Sequence, residues 1–215
     1  MALALNNKTA NIGTPSATTQ TISHVTTAGS NLEMSLTIAM SNAVTVTGVT
    51  YNGVAMTLVD TNTATGLSTL IYLWKLASPS SGTNNIVITF SAAQYNPVST
   101  YAISASGAAG VGNTIFDDTA ASPNSTTLTV STNSMIFGLL VAGNNTSHVI
   151  TLDGSSRTLE YTHNINNYTS GALSATGLTS GSKTVSVSAG ANLCGYYYEI
   201  KEFATASTQG MLLMF

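Results

Sequence analysis

The chain has 215 residues, only 6% of them charged, and a formal net charge of −3, where a soluble domain usually carries about a quarter charged residues. Its cations, Lys8, Lys75, Arg157, Lys183 and Lys201, are scattered singly, which excludes the basic cluster that a nucleic acid or an anionic membrane surface requires. A single cysteine, Cys194, excludes an intrachain disulfide and a zinc ribbon, and no apolar stretch approaches the ~20 residues of a membrane helix.

Hydroxyl, amide and small side chains take the place of ions. Thr and Val suit pleated strands, and Asn, Gly and Ser suit the turns between them. Helical periodicity is nearly absent and alternation is frequent, so the chain is expected to be all-β. Residues 1–18 carry few strand signals and read as an extended N-terminal arm. The short apolar run at its start is followed, not preceded, by Lys8, so it is no secretory leader and folding in a cytoplasm is expected.

Strands are predicted at 21–25 and 32–40, around a turn at 28–31. Residues 44–49 and 54–59 form the clearest hairpin, because Asn52-Gly53 supplies the positive φ angles of a tight primed turn. The next strand, 68–76, places Leu70, Tyr72 and Trp74 on one face and ends at Pro79. Residues 85–90 alternate again, with Ile86, Ile88 and Phe90 on one side. A strand at 101–106 leads into a Gly/Ala-rich bend at 107–113, then a short strand at 126–130. The nearly continuous apolar run 135–141 predicts a central strand covered on both faces. A second hairpin, 149–152 and 157–161, turns at Asp153-Gly154. Alternating strands follow at 171–176 and 183–188, and a closing strand at 193–203 contains Tyr196, Tyr197 and Tyr198.

Residues 36–90 and 135–187 repeat one order: apolar strand, Gly hairpin, strand, longer strand, then Ser-Gly before an alternating strand. Gly53/Gly154, Leu58/Leu159 and Gly82/Gly181 are the matching pairs. Two such halves are what one jelly roll made of two Greek keys would contain. The expected architecture is therefore an antiparallel β-sandwich of jelly-roll type. It comprises the arm 1–18, a single domain 19–203 and a short apolar C-terminal tail 204–215.

Chemistry-bearing residues are sparse. Asp117-Asp118, with Asn113 and Thr119 as further oxygen donors, form a candidate Ca²⁺ site, against the plainer reading of a solvated or capping pair. His24, His148 and His163 read as solvated decoration. His148 and His163 flank the second hairpin near Asp153 and Glu160, the one arrangement of the histidines that suggests a metal. There is no Gly-x-Ser-x-Gly elbow, and nothing selects a carboxylate pair among Glu160, Glu199 and Glu202. Gly107, Gly110 and Gly112 lack the following helix and lysine of a phosphate loop. No enzyme activity and no cofactor are expected. Cys194 sits in a predicted strand as a small buried hydrophobe, and Trp74 reads as core. Alternation sends Tyr197 to one face and Tyr196 and Tyr198 to the other. Tyr95, Tyr161 and Tyr168, read as loop aromatics, are the candidate glycan contacts. Met211, Leu212, Leu213, Met214 and Phe215 form an apolar end suited to assembly contacts.

The turn and strand pattern carries a resemblance. Its pieces are Ala28-Gly29-Ser30-Asn31 before 32–40, the run Val49-Thr50-Tyr51-Asn52-Gly53-Val54-Ala55-Met56-Thr57-Leu58, and Tyr72-Leu73-Trp74-Lys75-Leu76. They continue with 79–82, Asn85-Ile86-Val87-Ile88-Thr89-Phe90 and 196–203. Over roughly residues 19–203 this resembles a jelly-roll module of phage virion proteins and bacterial surface proteins, lectin-like in shape. The resemblance implies a non-enzymatic, homo-oligomeric virion component, made in the host cytoplasm. In that role it would be a capsid decoration or cement protein whose partners are the major capsid protein or other virion proteins. The alternative it implies is a glycan-binding tail-fibre or surface adhesin module. It transfers no catalytic motif.

Overall fold

A computed structural model describes residues 2–13, 16–118, 124–143, 149–159, 162–165, 168–188 and 192–204. The first half contains β1 (Ala4–Gly13), β2 (Ala17–Thr26), β3 (Glu33–Ser41), β4 (Val46–Tyr51), β5 (Val54–Ala55), β6 (Thr57–Ala64), β7 (Thr69–Ala77), β8 (Gly82–Gln94) and β9 (Val98–Ser106). The second contains β10 (Ala108–Asp117), β11 (Asn124–Val130), β12 (Ser134–Gly143), β13 (Val149–Leu152), β14 (Ser155–Arg157), β15 (Thr162–Ile165), β16 (Tyr168–Leu178), β17 (Gly181–Ser188) and β18 (Leu193–Glu202). One 3₁₀ turn, Thr65–Leu67, joins β6 to β7. No helix among the described residues is long and apolar enough to cross a membrane.

The sheets duplicate. The first half pairs β1-β9-β3-β7-β6 in one sheet and β2-β8-β4-β5 in another; the second pairs β10-β18-β12-β16-β15 and β11-β17-β13-β14. Adding nine to each strand number converts one set into the other, and all pairings are antiparallel. The turns repeat as well. Asn52 and Gly53 have φ of 49° and 77°, Asp153 and Gly154 of 50° and 76°, the left-handed pair that matches strand twist in a two-residue hairpin. Asn52 N donates to Asn85 O and Asp153 N to Thr184 O, both at 2.9 Å. The repeat seen in the sequence thus lies one level higher than expected. Each half has its own pair of sheets, rather than supplying one Greek key to a shared pair.

The five-stranded sheets of the two halves face each other, so the molecule is four sheets deep. Alternation explains how. Along β3, Met34, Leu36, Ile38 and Met40 pack toward the first half's outer sheet, with Ile86, Ile88 and Trp74. Along β12, Ile136, Leu140 and Ala142 pack toward the second half's outer sheet, with Ile150 and Val185. The opposite faces meet in the middle, where Leu73, Tyr101 and Ile103 pack with Phe137, Leu139, Tyr196 and Tyr198. Strands β3, β9, β12 and β18 are consequently buried along nearly their whole length. This is the double covering that the apolar run 135–141 predicts.

Three further expectations change. Residues 4–13 are strand β1, hydrogen-bonded along β9 from Ala4↔Ser106 to Gly13↔Val98, not a separate arm. The Gly/Ala-rich bend at 107–113 is narrower: Gly107, at φ 67°, is the turn between the halves, and β10 begins at Ala108 with irregular pairing before Gly110 and Thr114. The strand predicted at 54–59 is two strands, because the chain leaves the outer sheet after β5 and joins the inner sheet as β6. Met56, buried between them, donates its N–H to Val49 O at 2.9 Å.

Candidate functional site

The layer between the halves is where the two copies act on each other. Asn31 and Asn133, both left-handed, mark equivalent points before β3 and β12. Counting from them, Leu36 matches Gly138, and the residues opposite these, Ala102 and Tyr197, also match. Tyr101 is then equivalent to Tyr196, and Ile103 to Tyr198, and all four lie in the shared layer. The halves present the same face to each other, as the subunits of a symmetric dimer do.

Three polar pairs cross this layer. The Ser35 and Tyr198 hydroxyls are 2.7 Å apart, and those of Ser99 and Ser170 2.8 Å apart. Tyr196 donates its hydroxyl to Asp60 Oδ2 at 3.0 Å. Buried hydroxyls left unpaired would cost about 1–3 kcal/mol each, so these bonds fix the register of one sheet on the other. Burial pushes the Tyr196 and Tyr198 phenols far above their ordinary range, which keeps both hydroxyls neutral. Glu33 is buried as well, and burial raises its carboxyl against the opposing pull of Lys75.

At one end of the layer the halves leave a cavity of about 240 Å³. Its walls come from the end of β3, the start of β7 and the start of β9 in the first half, and from β12 and β16 in the second. Ser41, Ser68, Thr69 and Asn96 contribute polar groups, Leu67, Pro97 and Val141 apolar ones, and the Ser99–Ser170 pair crosses the junction. Ser68 sits in the left-handed region at φ 49°, which a serine adopts rarely. Its carbonyl accepts from Asn42 N at 2.9 Å. Next to the cavity, Gln94 Oε1 accepts from Asn96 N at 3.2 Å and shapes the β8–β9 turn.

The residues singled out from sequence scatter relative to this layer. Tyr95 stands in the β8–β9 turn, 72% exposed, immediately before Asn96 and Pro97 of the cavity wall. Tyr168 begins β16, on the strand that carries Ser170; its side chain lies outside the described residues, as do Tyr161 and Met211, Leu212, Leu213, Met214 and Phe215. Asp118 Oδ2 accepts from both the N–H and the hydroxyl of Thr65 at 2.9 Å, the bonding of a capping carboxylate, and so ties the second half to the 3₁₀ turn of the first. Asp117 pairs with Gly195 at the end of β10. Asn113 donates its side-chain amide to Thr129 O at 2.8 Å, and Thr119 lies outside the described residues. Among the described residues no group of three or more His, Cys, Asp or Glu could hold a metal.

His24 differs from expectation. It is buried, not solvated: Nδ1 is 2.9 Å from Thr9 Oγ1, Nε2 is 3.3 Å from Ser104 Oγ, and the Tyr51 ring stands edge-on at 6.2 Å. Burial lowers its pKa to about 4. His148 lies outside the described residues, and of His163 only the backbone, in β15, is described. Trp74 is in the first half's core and Cys194 is fully buried in the central layer, where burial pushes its thiol far up. Glu199, on which sequence carried no signal, is fully buried and accepts from Ser131 N at 2.6 Å and Asn113 N at 3.3 Å. No protein-family model and no curated protein matches this chain.

Proposed function

We propose that this chain is a non-enzymatic structural protein of a phage virion, a capsid decoration or cement protein that reinforces the shell through subunit contacts. The observation that carries the reading is the fused pair of sandwiches, in which the central sheets are devoted to packing on both faces. A molecule built this way invests its buried surface in rigidity. The interleaved order β1-β9-β3-β7 over β2-β8-β4-β5, repeated in the second half, supports reading each half as a jelly roll.

The attachment surfaces would be the sheet edges and the apolar chain end. The edge strands β5 and β6 expose Val54 and Leu58. Unpaired edge backbone accepts a strand from a neighbour, and a surface with so few ions loses little to desolvation when it docks. Met211 to Phe215 would add apolar contacts to the major capsid protein, another virion protein or a second copy. Shells lacking this chain and then incubated with the purified protein test the reading. Rebinding with raised resistance to heat is the expected result, and failure to bind shells contradicts it. The alternative, a glycan-binding fibre or adhesin module, is favoured by one observation, the exposed Tyr95 beside the cavity.

A further inference from the structure

We infer that the cavity at the junction of the halves binds one uncharged sugar ring, with Tyr95 as its outer wall. This goes beyond the structural role and does not depend on it. The chemistry of the lining selects the ligand. No charged side chain lines the cavity. A phosphate or carboxylate would lose its water without gaining a counter-charge, which is costly. A purely apolar guest would fare badly too, because it would desolvate the polar side chains of Ser41 and Asn96 without offering them a hydrogen bond. A pyranose suits both kinds of wall: its hydroxyls meet the Ser, Thr and Asn groups, and its C–H face meets Leu67, Pro97 and Val141.

Three further observations converge. A volume of about 240 Å³ falls below the ~300–1,000 Å³ of sites for drug-sized ligands, so the guest is a single ring, the rest of a chain projecting outward. Tyr95, the most exposed of the large hydrophobic side chains described, directly precedes Asn96 and Pro97 of the wall, and in this proposal its flat amphipathic ring covers the sugar's outer face. Ser68 holds a left-handed conformation that glycine would adopt without strain, and by being serine it keeps a hydroxyl on the wall. The same conformation caps the 3₁₀ turn Thr65–Leu67 at this wall. Because Ser99 and Ser170 come from different halves, neither half forms the site alone.

The test uses the full chain. Glucose, galactose and N-acetylglucosamine are titrated by saturation-transfer NMR, with glucose 6-phosphate as the charged comparator. Tyr95→Ala and Asn96→Ala, both at exposed positions, are compared with the parent after matching thermal unfolding shows that the fold is kept. Binding of at least one neutral sugar, weakened about tenfold in each variant, is expected, as loss of about 1.4 kcal/mol of contact implies. Three results would overturn the inference: no neutral sugar binds at millimolar concentration, glucose 6-phosphate binds as well as glucose, or both variants bind like the parent. Shell binding is measured without sugars, so the two readings fail separately.

Discussion

His24 shows what burial does to a single titratable residue. In the folded chain its ring sits between Thr9 and Ser104 and its pKa is about 4, whereas an unfolded histidine titrates at 6.5. As pH falls through this window the unfolded chain takes up the proton first, so the stability His24 contributes is full above 6.5 and is lost progressively toward 4. The full swing is about 3 kcal/mol by linkage. Urea denaturation at pH 7.5, 6 and 5 should show this decline, and His24→Leu should flatten it. Leucine is the natural comparison: Leu128 lies opposite Lys183, two residues past Gly181, as His24 lies opposite Asn84, two past Gly82. An unchanged slope in the variant would assign the decline to another group. The burial of Trp74 and Cys194 was legible, because both sit in predicted strands made largely of apolar residues. That of His24 was not. Between Ser23 and Val25 it reads as a surface residue, and its partners are 15 and 80 residues away.

Among the elements, β12 and β18 show why glycine appears inside a strand. Gly138 and Gly195 lie under the Tyr197 ring, and a Cβ at either would strike it. A sheet buried on both faces has no room for the ring to swing aside. Gly138→Ala should therefore destabilise the protein by about 1–3 kcal/mol, the usual cost of overpacking. Combining it with Tyr197→Leu should cost less than the sum of the two, as chemical denaturation of the four species will measure. Strictly additive losses would mean that the ring and the glycine do not share the space. The two hairpins were legible because Asn-Gly and Asp-Gly state their turn chemistry locally. Strand β1 was not: its Asn, Lys and Ala residues carry weak strand propensity, and pairing with the distant β9 supplies its order. The switch of sheet between β5 and β6 was hidden for a related reason, since alternation says which residues share a face and not which sheet owns the strand.

For the whole molecule the governing feature is the shared central layer. The order of the repeat could be read along the chain, but its level could not, because the pairing that closes each half joins strands at its two ends. The cavity was illegible for the same reason: Ser41, Asn96 and Ser170 meet only when both halves are folded and packed. Tyr95 could be noticed as a loop aromatic, but nothing local tells that the two residues after it wall this space. A rigid four-sheet body with few ions is suited to lie on a lattice of neighbours, and the lattice proposed for it is a virion shell. Quantitative mass spectrometry of purified particles measures this most directly, through the number of copies of this chain per copy of the major capsid protein. A simple stoichiometric ratio is expected, as attachment at repeated shell positions requires. Absence of the chain from particles would contradict it.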